Sequence, residues 1–211
     1  MSTSQQQTQP LSTTASLSRQ QTIHFGPYPI TSQIFLLTPL SFALVNLKPL
    51  LPGHVLVCPL QPHKRLTSLS PEELLDLWQT VQKVQRMLAR HYFPEPHSPE
   101  QGSFNIAVQD GAEAGQTVPH VHVHVIPRIR GVTEKEGDKV GDELYERMAG
   151  EEGNVGGALW DREVGKRPAG QGKFDRIEDA ERMARGLRDM EAEAELYRGV
   201  LEEMDKKGRR G

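Results

Sequence analysis

Two spacings of apolar residues organise the chain. Over residues 23–60 they come in short runs cut by turn formers. Residues 32–38 and 41–46 are two such runs, broken at Thr38-Pro39; a third, residues 54–58, follows the turn signal Leu51-Pro52-Gly53. These predict strands. From Ser70 the spacing changes to three and four: Leu74, Leu77, Trp78, Val81, Val84 and Leu88 recur through about Tyr92. Ser70 as N-cap, Pro71 at the first helical position and Glu73 three residues after the cap place the start of a helix there. A Pro-rich loop at 94–99, a strand at 104–109, a turn at Asp110-Gly111 and a loop at 112–117 follow. A second helix is predicted over residues 177–204, with Met183, Leu187, Met190, Ala194, Tyr197 and Leu201 along one side. The elements describe an α+β fold: an antiparallel sheet with one main helix and a C-terminal helix.

Composition sets the limits of that core. The 211 residues are 36% hydrophobic and 25% charged, which suits one domain carrying solvated extensions. Residues 1–22 are Ser, Thr and Gln almost throughout, with Arg19 the only charge, and too little apolar surface to offset the cost of ordering. They are expected to be a disordered tail. Their lack of acidic residues and their serines also fit a mitochondrial-type leader. The catalytic domain is expected over residues 23–130, a Gly-rich charged loop over 131–175, and the C-terminal helix and tail over 176–211. A net charge of −3 gives no global attraction to nucleic acid. No apolar run reaches the ~20 residues of a membrane span. The single cysteine, Cys58 in Val-Leu-Val-Cys, excludes an internal disulfide and reads as a core residue in a reducing compartment. A cytoplasmic protein is expected, with nuclear and mitochondrial locations left open.

The candidate chemistry lies at residues 116–128, Gln-Thr-Val-Pro-His-Val-His-Val-His-Val-Ile-Pro-Arg. His120, His122 and His124 alternate with Val121, Val123 and Val125. On a strand this puts three imidazoles on one face, about 7 Å from one to the next, and three valines on the other. Two chemistries use such a row. Two of the imidazoles could join a zinc site, but His120 and His124 would lie about 13 Å apart, too far to share one ion with His122. Alternatively, an imidazole nitrogen attacks an electrophilic phosphorus and forms a phosphoramidate that water cleaves. The preceding Gly115-Gln116-Thr117 offers a hydroxyl, an amide and backbone N–H groups for anionic oxygens.

The run from His120 to Val125 matches the signature of the histidine-triad superfamily of nucleotide hydrolases and transferases. Leu40-Ser-Phe-Ala-Leu-Val-Asn46, Pro52-Gly-His-Val-Leu-Val-Cys-Pro59 and Gln109-Asp-Gly-Ala-Glu-Ala-Gly-Gln-Thr-Val118 resemble its fragile histidine triad branch, the dinucleoside triphosphate hydrolases. The resemblance covers roughly residues 23–130. It implies a histidine-triad-like fold, a homodimer, and cleavage of diadenosine triphosphate to AMP and ADP. It also implies His122 as the nucleophile that becomes adenylylated, His124 on the phosphate and leaving group, and His120 orienting the triad. Gln109, Gly115, Gln116, Thr117 and Val118 would bind around the α-phosphate, and Asn46 would hold the ribose. Mg²⁺ or Mn²⁺ would sit on the substrate phosphates, with no metal held by the protein itself.

Some positions depart from that pattern. Pro119 replaces a lysine that some members carry before the triad. Tyr28, a substrate-side position, stands where some have a histidine near the base. The 131–175 segment is longer than in compact members, although Asp142-Glu-Leu-Tyr145 resembles their loop tyrosine motif. His54, in Pro-Gly-His, reads as a turn or structural histidine, and Trp160 as cover for an apolar patch. Two other functions use the same residues: a nucleoside phosphoramidate hydrolase, and a signalling protein whose nucleotide-bound state is what a partner reads.

Overall fold

The computed structural model describes residues 22–129 and 185–208. The chain opens with a two-stranded hairpin, β1 (His24–Phe25) and β2 (Tyr28–Pro29). A five-stranded antiparallel sheet follows, from β3 (Ile34–Leu37), β4 (Ser41–Val45), β5 (Val55–Pro59), β6 (Ser103–Val108) and β7 (Val123–Arg128). Its order is β3-β4-β5-β7-β6. Helix α1 spans Pro71–Tyr92 and α2 spans Leu187–Gly208. The α+β architecture expected from the two apolar spacings is present.

Strands β4 and β5 are buried at every residue, as central strands covered on both faces are. Val55 pairs with Val125 and Val57 with Val123, so these valines share one face. They enter one apolar core with Leu77, Val81, Val84 and Leu88 of α1. Leu56, between them, pairs with His124, and Ala107 of β6 pairs with His124 from the other side. The triad strand is therefore held between two neighbours. Helix α2 packs its Met190, Ala194, Tyr197 and Leu201 into the same core and lies against α1, β3 and β4.

Local chemistry fixes the start of α1 at its expected residue. Ser70 Oγ accepts the Glu73 N–H at 3.2 Å, and Glu73 returns a carboxylate oxygen to the Ser70 N–H at 2.8 Å. The other Glu73 oxygen pairs with His63 Nε2 at 2.8 Å, and the His63 carbonyl accepts the Val121 N–H at 2.7 Å. The helix cap is thus tied to the backbone between His120 and His122. Helix α2 starts later than expected, at Leu187, after non-helical Arg185 and Gly186; Leu187 is exposed rather than part of the apolar side. Residues 177–184 of the expected helix lie outside the described residues, with Met183, Tyr145, Trp160 and the whole 131–175 segment.

Candidate active site

The strand expected to carry all three histidines begins only at Val123. His120 donates its N–H to the Val118 carbonyl at 2.8 Å, a tight turn around Pro119 that takes His120 and His122 out of the ladder. The His122 and His124 rings are 5.0 Å apart at 66°, and Phe25 sits 5.5 Å from the His120 ring and 5.2 Å from that of His122.

Partners assign a proton to one nitrogen of each ring. His120 Nδ1 accepts the Gly26 N–H at 3.2 Å, so its Nε2–H donates to the Pro59 carbonyl at 2.8 Å. Both of its nitrogens are engaged, and it acts as a fixed support. The His120 carbonyl takes the Nδ1–H of His122 at 2.9 Å, which leaves the His122 Nε2 lone pair unprotonated. On the far side, the Leu50 N–H reaches His54 Nδ1 at 3.1 Å. The proton of His54 therefore sits on Nε2 and points at His124 Nδ1, 2.9 Å away. His124 in turn carries its proton on Nε2, a buried atom with no hydrogen-bond partner among the described residues. A nucleophilic nitrogen and an unpaired donor stand on adjacent rings.

Burial keeps these rings neutral. It is the largest cause that lowers His122 to about 4, against the opposing bond to the His120 carbonyl. His54 falls to about 3 through burial, then the charges of His122 and Arg185. His124 lies well below the ordinary imidazole range through burial and its neighbours His122 and His54. Neutral imidazole is the nucleophilic form.

The other expected residues cluster around the triad unevenly. Gly26 has φ +55°, and a Cβ there would come within 2.5 Å of a Val118 methyl; its glycine lets the hairpin close on Val118 and reach His120. Gly115, at φ +89°, similarly makes room for the Gln109 amide, 2.7 Å from where a Cβ would stand. The Gly115 and Gln116 N–H groups bond to the carbonyls of Ala112 and Gly111 at 3.0 Å each, so within the described fold they are engaged inside the loop. The Gln116 side chain donates to the Lys64 carbonyl. Thr117 follows directly, at the turn into the triad. Tyr28 is buried and pairs with Phe25 across the hairpin, and Phe25 in turn touches the His120 and His122 rings. Asn46 is buried beside His54: its amide nitrogen lies 3.3 Å from His54 Nδ1 and 3.2 Å from Nε2, and its Oδ1 accepts the Lys48 N–H.

Comparison with known proteins bears directly on this arrangement. The HIT domain family model matches residues 29–131. The Schizosaccharomyces pombe bis(5'-nucleosyl)-tetraphosphatase [asymmetrical] is 39% identical, over 88% of this chain and 97% of that protein. The chain belongs to the histidine-triad family. The Arabidopsis thaliana bifunctional bis(5'-adenosyl)-triphosphatase/adenylylsulfatase FHIT is also 39% identical, over 84% of this chain and 83% of its own length. Among solved structures, the Caenorhabditis elegans NitFhit protein superposes with a TM-score of 0.56 at 32% identity; the match covers 87% of this chain and 31% of that longer one.

Within this histidine-triad site, the contact of His54 with the triad is what the sequence pattern hides. The turn context of His54 gave it a structural reading, whereas the fold brings it against His124 from 70 residues away. The donor set also bears on metals. Among the described residues no group of three or more His, Cys, Asp or Glu could hold an ion. Both His120 nitrogens are already hydrogen-bonded, so His120 is not placed to join a zinc shared within the triad. No described helix is long and apolar enough to cross a membrane.

Proposed function

We propose that this chain hydrolyses P1,P3-bis(5'-adenosyl) triphosphate to AMP and ADP through a nucleotidyl-His122 intermediate. The observation that carries the reading is an unprotonated His122 Nε2 on the ring next to His124, whose Nε2–H has no hydrogen-bond partner among the described residues. His122 Nε2 attacks the α-phosphorus, a P–N bond forms, and the bond from that phosphorus to the bridging oxygen breaks. His124 Nε2–H protonates the departing ADP oxygen. The His120 carbonyl, already bonded to His122 Nδ1–H, stabilises the charge that the adenylylated ring acquires. Water then attacks the α-phosphorus, His124 Nε2 takes its proton, the P–N bond breaks and AMP leaves. The name of the A. thaliana relative supports this substrate, and that of the S. pombe relative supports the wider class of dinucleoside polyphosphates.

In the same reading, Gln109, Gly115, Gln116, Thr117 and Val118 line the α-phosphate region, Tyr28 lies toward the base and Asn46 serves the ribose. Mg²⁺ or Mn²⁺ rides on the substrate phosphates, whose oxygens and water supply its ligands, so no protein cage is required. The protein works as a homodimer. Strand β6 forms an edge of the described sheet, and α1 exposes Leu74, Leu75 and Trp78; a two-fold pairing would cover such an edge and flank. The buried free thiol of Cys58 fits a reducing compartment such as the cytoplasm.

Product analysis tests the assignment. Incubation with diadenosine triphosphate should release AMP and ADP in equal amounts, faster than diadenosine tetraphosphate or an adenosine phosphoramidate is consumed. Cleavage of the phosphoramidate alone would overturn it.

A further inference from the structure

The ladder that holds β4 against β5 ends at the pair Val45–Val55. Asn46 and Leu47 follow immediately, beyond the last strand pair, and their carbonyls need other donors. Both come from one residue near the opposite end of the chain. Arg185 donates its backbone N–H to the Leu47 carbonyl at 3.3 Å, and its guanidinium donates to the Asn46 carbonyl. The guanidinium is itself anchored, with another nitrogen 2.7 Å from the Glu193 carboxylate on α2. The other Glu193 oxygen accepts the Tyr197 hydroxyl at 2.9 Å, and that hydroxyl lies 2.9 Å from Tyr92 on α1.

A guanidinium suits this role because its planar set of donors can serve a carboxylate and a carbonyl at once, which a lysine ammonium does with less directional control. Glu193 and Arg185 are both largely covered, so the pair is less exposed to solvent screening than an open surface ion pair. The segment it holds also reaches the triad. Asn46 faces His54, and the Leu50 N–H, four residues on, sets the His54 proton.

We propose that Arg185, anchored by Glu193, is a positioning residue that fixes the Asn46–Leu47 backbone and so presents Asn46 to the nucleoside of the substrate; this rests on the hydrolase reading above. Arg185 does not touch the reacting phosphorus. It acts through Asn46, and it makes the C-terminal helix part of the nucleotide site although that helix carries none of the triad.

The test is a double-mutant cycle in the full chain, with Arg185→Met, Arg185→Lys and Glu193→Gln made alone and with Asn46→Ala. The readouts are KM and kcat for diadenosine triphosphate and competitive inhibition by AMP. Arg185→Met should raise KM and the AMP inhibition constant about tenfold, with kcat held within about threefold. Arg185→Lys should restore part of the loss. In the Asn46→Ala background, Arg185→Met should add almost nothing. Unchanged KM in Arg185→Met, or penalties that multiply with Asn46→Ala, would overturn the inference and leave the hydrolase reading intact. If Arg185→Met fails to fold, Glu193→Gln carries the same cycle with the same two outcomes. A wild-type chain that leaves diadenosine triphosphate intact would overturn both readings.

Discussion

His54 Nε2 lies 2.9 Å from His124 Nδ1, and this contact decides which nitrogen of His124 can act on a leaving group. With His54 Nδ1 taken by the Leu50 N–H, the only proton available to the contact is the one on His54. His124 is thereby held as the Nε2–H tautomer before any substrate arrives, so no reorganisation is needed at the moment of reaction.

Replacing His54 with Phe keeps an aromatic ring but removes the proton that sets this tautomer. Turnover should fall by roughly 10²-fold, within the usual range for loss of a positioned acid–base partner. The far-ultraviolet circular dichroism spectrum should stay unchanged. Steady-state kinetics of the purified variant decides it; undiminished kcat would mean that His124 finds its tautomer without His54.

The acid dependence follows from the depressed imidazoles. In the proposed mechanism His122 attacks only when neutral, and its pKa in the fold is about 4, so kcat/KM should hold from neutral pH to about 5 and fall as pH drops through 4. Stability should respond earlier. Unfolded imidazoles titrate near ~6.5, whereas His122 and His54 titrate at about 4 and about 3 in the fold. Between those limits the unfolded chain binds more protons. The contribution is therefore complete above about 6.5 and is lost progressively as pH falls toward the folded values. Thermal melts across this range should show a falling Tm. A Tm independent of pH from 7 to 4 would contradict the buried neutral assignment.

Local chemistry made part of this legible from the residues alone. The capping box at Ser70 and Glu73 is a contact between neighbours in sequence, and it placed the start of α1 correctly. The triad could be read because alternation is a short-range pattern. Yet the turn at Pro119 depends on the His120 N–H meeting the Val118 carbonyl, and alternation cannot show it, because the same letters would suit an unbroken strand. His54 and Arg185 were hidden for a different reason. Their decisive partners lie 70 and 139 residues away, and nothing near either residue carries a trace of the contact.

Gly26 carries two demands that only a glycine meets. It sits at φ +55° and an added Cβ would strike Val118, whose neighbourhood leads into the triad. Gly26→Ala should destabilise the fold by about 1–3 kcal/mol, the cost of a strained backbone position. It should also reduce activity by loosening the Gly26 N–H bond to His120. Denaturant unfolding and kinetics on the same sample check both effects.

Assembly is measurable in the same preparation. The β6 edge of the described sheet and the exposed Leu74, Leu75 and Trp78 lead to an expected mass of twice the 23.6 kDa chain by light scattering at micromolar concentration. Trp78→Glu should shift the population toward single chains if the α1 flank takes part. A fully active sample at the mass of one chain would exclude the dimer.

In the proposed mechanism the nucleotide passes through a covalent bond to His122. Two in-line displacements at one phosphorus restore its configuration, whereas one inverts it. A substrate made chiral at the α-phosphorus with sulfur, hydrolysed in ¹⁸O-enriched water, reports the difference in the AMP thioanalogue released. Net retention is the expected result, and a His122→Asn chain should lose several orders of magnitude in turnover while still binding substrate. Net inversion in the wild-type chain would mean that water attacks directly and that His122 forms no bond to phosphorus.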